Sequence, residues 1–171
     1  MLIRKGGIRE NANRFEVRHQ EFLLFPSFEH QQASLLKPEH AEGMAGALQE
    51  HADPDWLIFT HFAQVHRAFP VSELTELQAL SPHHIWSDDY AKARLRWKPQ
   101  QTLTAMVLKT FRLNKPVIVP MRPEYVGCKS WLDLTEAMEM GSMNAVLSEE
   151  TFAERANAID RAMASSVPML L

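Results

Sequence analysis

The sequence predicts an α+β fold: a small, mixed but mostly antiparallel β-barrel, closed or nearly so, with peripheral helices and a C-terminal helix. Three observations predict it. Trp56 to Val65 and Leu103 to Leu113 are apolar on both faces, so neither reads as an edge strand and both belong at the centre of a sheet. Between and around them lie short helical stretches bounded by prolines. From Glu149 to Ser165 the residues Phe152, Ala156, Ile159 and Met163 fall on one helical stripe, the pattern of a helix docked on a core. A chain of 171 residues with 46% hydrophobic and 23% charged residues can build one sizeable core. We divide it into an α+β barrel domain over residues 1–147 and an amphipathic helix and tail over 148–171 packed on it.

In chain order, Leu2 to Ile8 reads as a strand end running into a turn, because Gly6-Gly7 admits backbone angles other residues resist. Phe15, Val17 and His19 alternate with Glu16 and Arg18, the period of a half-buried strand, and Phe22 to Phe25 forms its antiparallel partner. Pro26-Ser27 ends that strand. Ser27 then caps a helix reaching Leu36, with Glu29, His30 and Gln31 in its first turn. Pro38 to His51 is a further helical stretch, interrupted by Gly43 and Gly46. Asp53-Pro54-Asp55 turns into the first central strand. Ser72 to Leu80 is a short helix stopped at Ser81-Pro82, and Asp88 to Trp97 a second, capped by Ser87 or Asp88 and closed by Pro99. After Leu113, Lys115-Pro116 turns into Val117 to Val119, and Pro120 and Pro123 mark a loop leading to Gly127-Cys128-Lys129-Ser130-Trp131.

Charge is distributed unevenly. From Lys92 to Lys129 there are nine basic residues against the single acid Glu124, whereas from Leu132 onward seven acids face Arg155 and Arg161. The middle is basic and the tail acidic. One cysteine forms no internal disulfide, and no apolar run approaches the about 20 residues of a membrane span. The start lacks a signal-peptide core, so the expectation is a cytoplasmic protein with no membrane partner.

Arg4-Lys5-Gly6-Gly7-Ile8, the Phe22 to Ser27 run with His30-Gln31, His84-Ile85-Trp86, Arg94, and Gly127 to Trp131 together resemble the bacterial domain of unknown function 1802 family. These five motifs, in the same order, span residues 4 to 131. The resemblance implies no established activity; association of some members with a restriction endonuclease-like domain implies a link to restriction-modification or defence, with such a protein as partner. Relatives carry a strand-forming stretch ahead of the Arg-Lys-Gly-Gly motif, which implies here either a truncated first strand or a true start upstream of Met1. The order of apolar strands and small helices is also similar to PUA-like barrels, including the ASCH and EVE domains, which commonly bind RNA or modified bases. That is fold analogy.

The leading functional expectation is a non-catalytic domain that binds nucleic acid or a modified base. Its pocket would lie between Phe25 to Gln31 and Gly127 to Trp131. Arg4, Lys5, Arg94 and Lys129 would supply charge, Ser130 a hydroxyl, Trp131 or Trp97 a stacking surface, and His30 and Gln31 would read a base edge or phosphate. The bland reading gives the same cations to solvated strand faces, part-covered by the acidic helix. Cys128, beside Lys129, is a candidate nucleophile, although a lone cysteine is more often structural. With His30 it defines the alternative, a small hydrolase or transferase acting on a nucleotide. A third reading is a partner-docking module built on the acidic helix. His30, His61, His66, His83 and His84 have no zinc-motif spacing, so neither a metal nor a cofactor is expected. No Asp-x-Lys or Glu-x-Lys follows Pro54-Asp55, so any cleavage would fall to a partner.

Overall fold

The computed structural model describes residues 1–5, 15–25, 33–41, 43, 55–97, 99–126 and 130–166. Strands β1 (Leu2–Arg4), β2 (Glu21–Leu23), β3 (Trp56–Val71), β4 (Leu103–Pro120) and β5 (Met143–Ala145) form one antiparallel sheet. Helices α1 (Leu74–Ala79), α2 (Asp88–Arg96) and α3 (Glu149–Ser166) complete the main elements. Both runs that are apolar on two faces are central, as expected: β3 and β4 pair from Val71↔Leu103 to Trp56↔Pro120. β2 lies along β3, while β1 and β5 both lie along β4.

The strand order is β1-β4-β3-β2, and among the described residues no ladder joins β1 to β2. The sheet is open, so the predicted closed or nearly closed barrel of PUA-like form is corrected to an open sheet within an α+β fold. The physical reason lies in how the two central strands lose their water. One face, carrying Val71, Leu103, Ala105 and Val107, packs against Leu77 and Leu80, against Ala91 of α2, and against Phe152, Ala156 and Ile159 of α3. At the other end of the ribbon Leu57, Phe59 and Val119 cluster with Tyr125, and Leu132, Leu134 and Met138 pack on them. Two separate covers, one at each end of the ribbon, take its buried apolar side chains out of water without the sheet curling closed.

Local chemistry accounts for the helices. Glu73 and Glu76 form a capping box at α1, and the Ser87 hydroxyl accepts the Tyr90 N–H at the start of α2, with Asp88 and Asp89 beside the positive helix end. At α3 the Ser148 hydroxyl accepts the Thr151 N–H. The docking stripe of α3 is the expected one: Phe152, Ala156 and Ile159 are buried and Met163 packs beside them.

Three local expectations are corrected. Residues 15–19 are not a strand and do not pair with β2, whose partner is β3 at Phe22↔Ala63; Phe15 is instead held by its ring on Trp131. Lys115-Pro116 does not end a strand, because β4 runs on to Pro120 through a register shift opposite Thr60. Pro116 sits in that bulge, where its missing N–H costs no ladder bond. Ala33–Leu35 is a 3-10 turn rather than the end of an α-helix. The Gly6-Gly7 turn, the Ser27 cap and most of the Pro38 to His51 stretch lie outside the described residues, although residues 38–41 and 43 are helical.

Candidate functional site

The carboxyl end of α2 brings together three of the six predicted site residues that are described: Lys5, Arg94 and Trp97. Its last turn leaves carbonyls without intrahelical partners, and Lys5, at the end of β1, reaches under them. The Lys5 ammonium donates to Leu95 O at 2.6 Å and to Arg94 O at 3.3 Å, and the residue is only 2% exposed. It is a buried cation set on the negative end of a helix, a favourable placement for the dipole. Arg94 lies over the Trp97 ring, with Cζ 4.5 Å from the centroid, and the Trp97 N–H closes the helix on Ala93 O at 3.0 Å. Guanidinium and indole are thereby held by each other.

On the other side of Lys5 in the chain, Arg4 donates to the Ser130 hydroxyl at 3.3 Å. Ser130, next to Trp131 in the chain, is thus tied to the edge strand. The Trp131 indole packs against Phe15 (5.9 Å between centroids, stacked), Phe22 (4.9 Å) and His19 (5.3 Å), and its N–H donates to Glu16 O at 2.7 Å. That geometry makes Trp131 a packing anchor between β2 and the 15–19 segment. His30, Gln31, Cys128 and Lys129 lie outside the described residues, and with them the heart of the expected pocket.

The basic middle does not form one stripe. Lys109 pairs with Glu149 at the start of α3 and Arg122 with Glu136, while Arg67, outside that run, pairs with Asp160. The hydrogen bond and charge of Glu136 raise Arg122 above its usual pKa. The acidic tail therefore neutralises part of the basic run, as the bland reading anticipated. Lys92 and Arg96 face differently.

They line an open groove of about 370 Å³ between α2, the start of α1 and the entry to β4. Ser72, Gln100, Gln101 and Thr102 supply its remaining polar groups, and Leu74, Leu95 and Pro99 an apolar wall. The nearby Glu76 carboxylate is turned onto the N–H groups of Ser72 and Glu73, at 2.8 and 3.0 Å. Gln101 brings an amide oxygen that is buried with no hydrogen-bond partner among the described residues. Sequence reasoning found the two cations only as part of a charge run and missed the four polar residues. A polar Pro-Gln-Gln-Thr link between a basic helix and a buried strand was the available signal.

His84 is 5% exposed, and neither ring nitrogen has a well-formed hydrogen bond among the described residues. Burial, reinforced by the Lys37 ammonium, pushes it below the usual histidine pKa, and the Asp88 carboxylate and Trp86 backbone pull back more weakly. His83 is lowered for the same first reason. Lys37 itself donates to the carbonyls of Ser81 and, at 3.0 Å, His84, joining the 33–37 segment to the turn before α2. The Ser81 hydroxyl donates to Asp88 at 2.6 Å and lowers that carboxyl. His84-Ile85-Trp86 is thus a structural junction, bridged at Leu36↔Trp86. Among the described residues no group of three His, Cys, Asp or Glu side chains could hold a metal ion, and no helix is long and apolar enough to cross a membrane.

No curated protein and no solved structure matches the chain. A family model does match, over residues 1–158, with the resembling motifs at Arg4-Lys5, Phe22 to Phe25, His84-Ile85-Trp86, Arg94 and Ser130-Trp131 placed at the junctions described above. The chain belongs to the family described as Domain of unknown function (DUF1802).

Proposed function

We propose that this protein is a non-catalytic binding domain for a phosphate-bearing nucleic acid, engaged at the carboxyl end of α2. The groove carries the reading. Lys92 and Arg96 stand in one open cleft whose other polar groups are uncharged hydroxyls and amides, a lining that favours an anion and can hydrogen-bond a base or sugar. Among the described residues no carboxylate lines it. A helix carboxyl end would ordinarily repel an anion, but Lys5, buried against the Arg94 and Leu95 carbonyls, offsets that partial charge from behind. Arg94 and Trp97 pair with each other at the end of the same helix, outside the groove's lining.

The pairing of Lys109 and Arg122 with acids supports a reading that puts the interface on α2 rather than on these cations. The test is fluorescence anisotropy with single- and double-stranded DNA and RNA across a salt series. Log affinity is expected to fall with log salt by roughly 0.7–0.9 per phosphate neutralised. The double variant Lys92→Ala with Arg96→Ala is expected to lose about tenfold or more in affinity and to flatten that slope by about two phosphates. An unchanged slope in that variant, or no binding at low salt, overturns the reading.

A further inference from the structure

We infer that the groove is a pocket for a single nucleoside phosphomonoester, either a free 5′-nucleotide or the phosphorylated end of a strand. This rests on the nucleic-acid reading and narrows it. Size is the first reason. A volume of about 370 Å³ is at the small end of ligand pockets, which run from ~300 to ~1,000 Å³, whereas a site that tracks a strand covers ~4 or more nucleotides.

The arrangement of the lining is the second. Lys92 and Arg96 are one helical turn apart on α2, close enough to share one phosphate rather than to follow successive ones. A phosphomonoester carries close to two negative charges at neutral pH and matches two cations, where an internal phosphodiester carries one. Leu74 and Pro99 give an apolar wall for a sugar or base face. Gln100 and Gln101 come from the link into β4 and present amides, the side chains that pair a base edge through a donor and an acceptor together. The Gln101 oxygen, buried and without a hydrogen-bond partner among the described residues, would accept from a base amino group once the side chain turns into the groove.

Isothermal titration calorimetry of the full chain tests this with adenosine 5′-monophosphate, adenosine, ribose 5-phosphate and inorganic phosphate, beside oligonucleotides with 5′-phosphate or 5′-hydroxyl ends. The monophosphate is expected to bind at least about tenfold more tightly than adenosine or inorganic phosphate. Arg96→Ala and Gln101→Ala are each expected to weaken it by about fivefold or more, with far-ultraviolet circular dichroism unchanged. Oligonucleotide binding without mononucleotide binding, irrespective of the 5′ end, overturns the inference and leaves the nucleic-acid reading standing. Mononucleotide binding without oligonucleotide binding does the reverse. Inorganic phosphate bound as tightly as the monophosphate, or variants that bind it unchanged, also overturn the inference. Preference for the 5′-phosphorylated strand over the free nucleotide identifies a strand end as the source.

Discussion

The two ends of the β3–β4 ribbon have nearly the same sequence character and quite different surroundings. At the Val71↔Leu103 end the inward face is closed by α1, α2 and α3, and Val71, Leu80, Leu103 and Ala105 are each 0% exposed. At the Trp56↔Pro120 end, Leu57 and Val119 are buried on one face. On the other face Trp56 is 46% and Ile118 57% exposed. Apolar residues on both faces of a strand therefore mark a central position in the ladder but do not say that each face is covered. Covering depends on which other segments the chain folds back to that place, and α3 supplies its stripe only at the first end.

Substitutions at the two ends should separate accordingly. Leu103→Ala opens a cavity among three helices and is expected to cost about 2–5 kcal/mol, read as a lower urea midpoint at unchanged slope. A loss of under about 1 kcal/mol would mean that the helical layer is loosely docked.

A smaller effect is expected from pH, and again only at the helical end. His84 is held neutral by burial, so its pKa in the folded chain is below the ~6.5 of the unfolded chain. Between those values the unfolded chain binds the extra proton. The contribution to stability is complete above about pH 6.5 and declines as pH falls below it. His84→Gln should flatten the urea midpoint against pH between about 6.5 and 5, leaving the carboxylate-driven loss at lower pH, where the depressed Asp88 titrates. An unflattened profile would place the acid sensitivity elsewhere.

The smallest effect belongs to the open end. Ile118→Ser should change stability by no more than about 0.5 kcal/mol, because the side chain has little burial to lose. A change above about 1 kcal/mol would show that the Trp56–Ile118 face is covered in solution, and would make the two ends alike.

The candidate site was legible only in part. Arg4, Lys5, Arg94, Trp97, Ser130 and Trp131 do lie at junctions between elements, but the roles assigned to them from sequence carried no information about burial. Lys5 looks like any cation in a chain, and only the carbonyls of α2 above it show that its charge is spent inside the protein. Trp131 reads as a stacking surface until Phe15, Phe22 and His19 are seen around it. Lys109 and Arg122 read as a basic patch until Glu149 and Glu136 arrive from later in the chain.

By itself the sequence determined the local elements with a strong period or a cap. The period of Phe152, Ala156, Ile159 and Met163 made α3 and its docking face, Ser87 set the start of α2, and the two apolar runs became the sheet's centre, because caps and periodicity act over a few residues. Only the tertiary structure decided that the sheet stays open and that β4 passes through Pro116. It alone brought Ser72, Lys92, Arg96 and Gln101 around one groove. Those outcomes depend on contacts between residues far apart in the chain, where the free energy of covering a face or pairing a charge is fixed by the partner and not by the residue's neighbours in sequence.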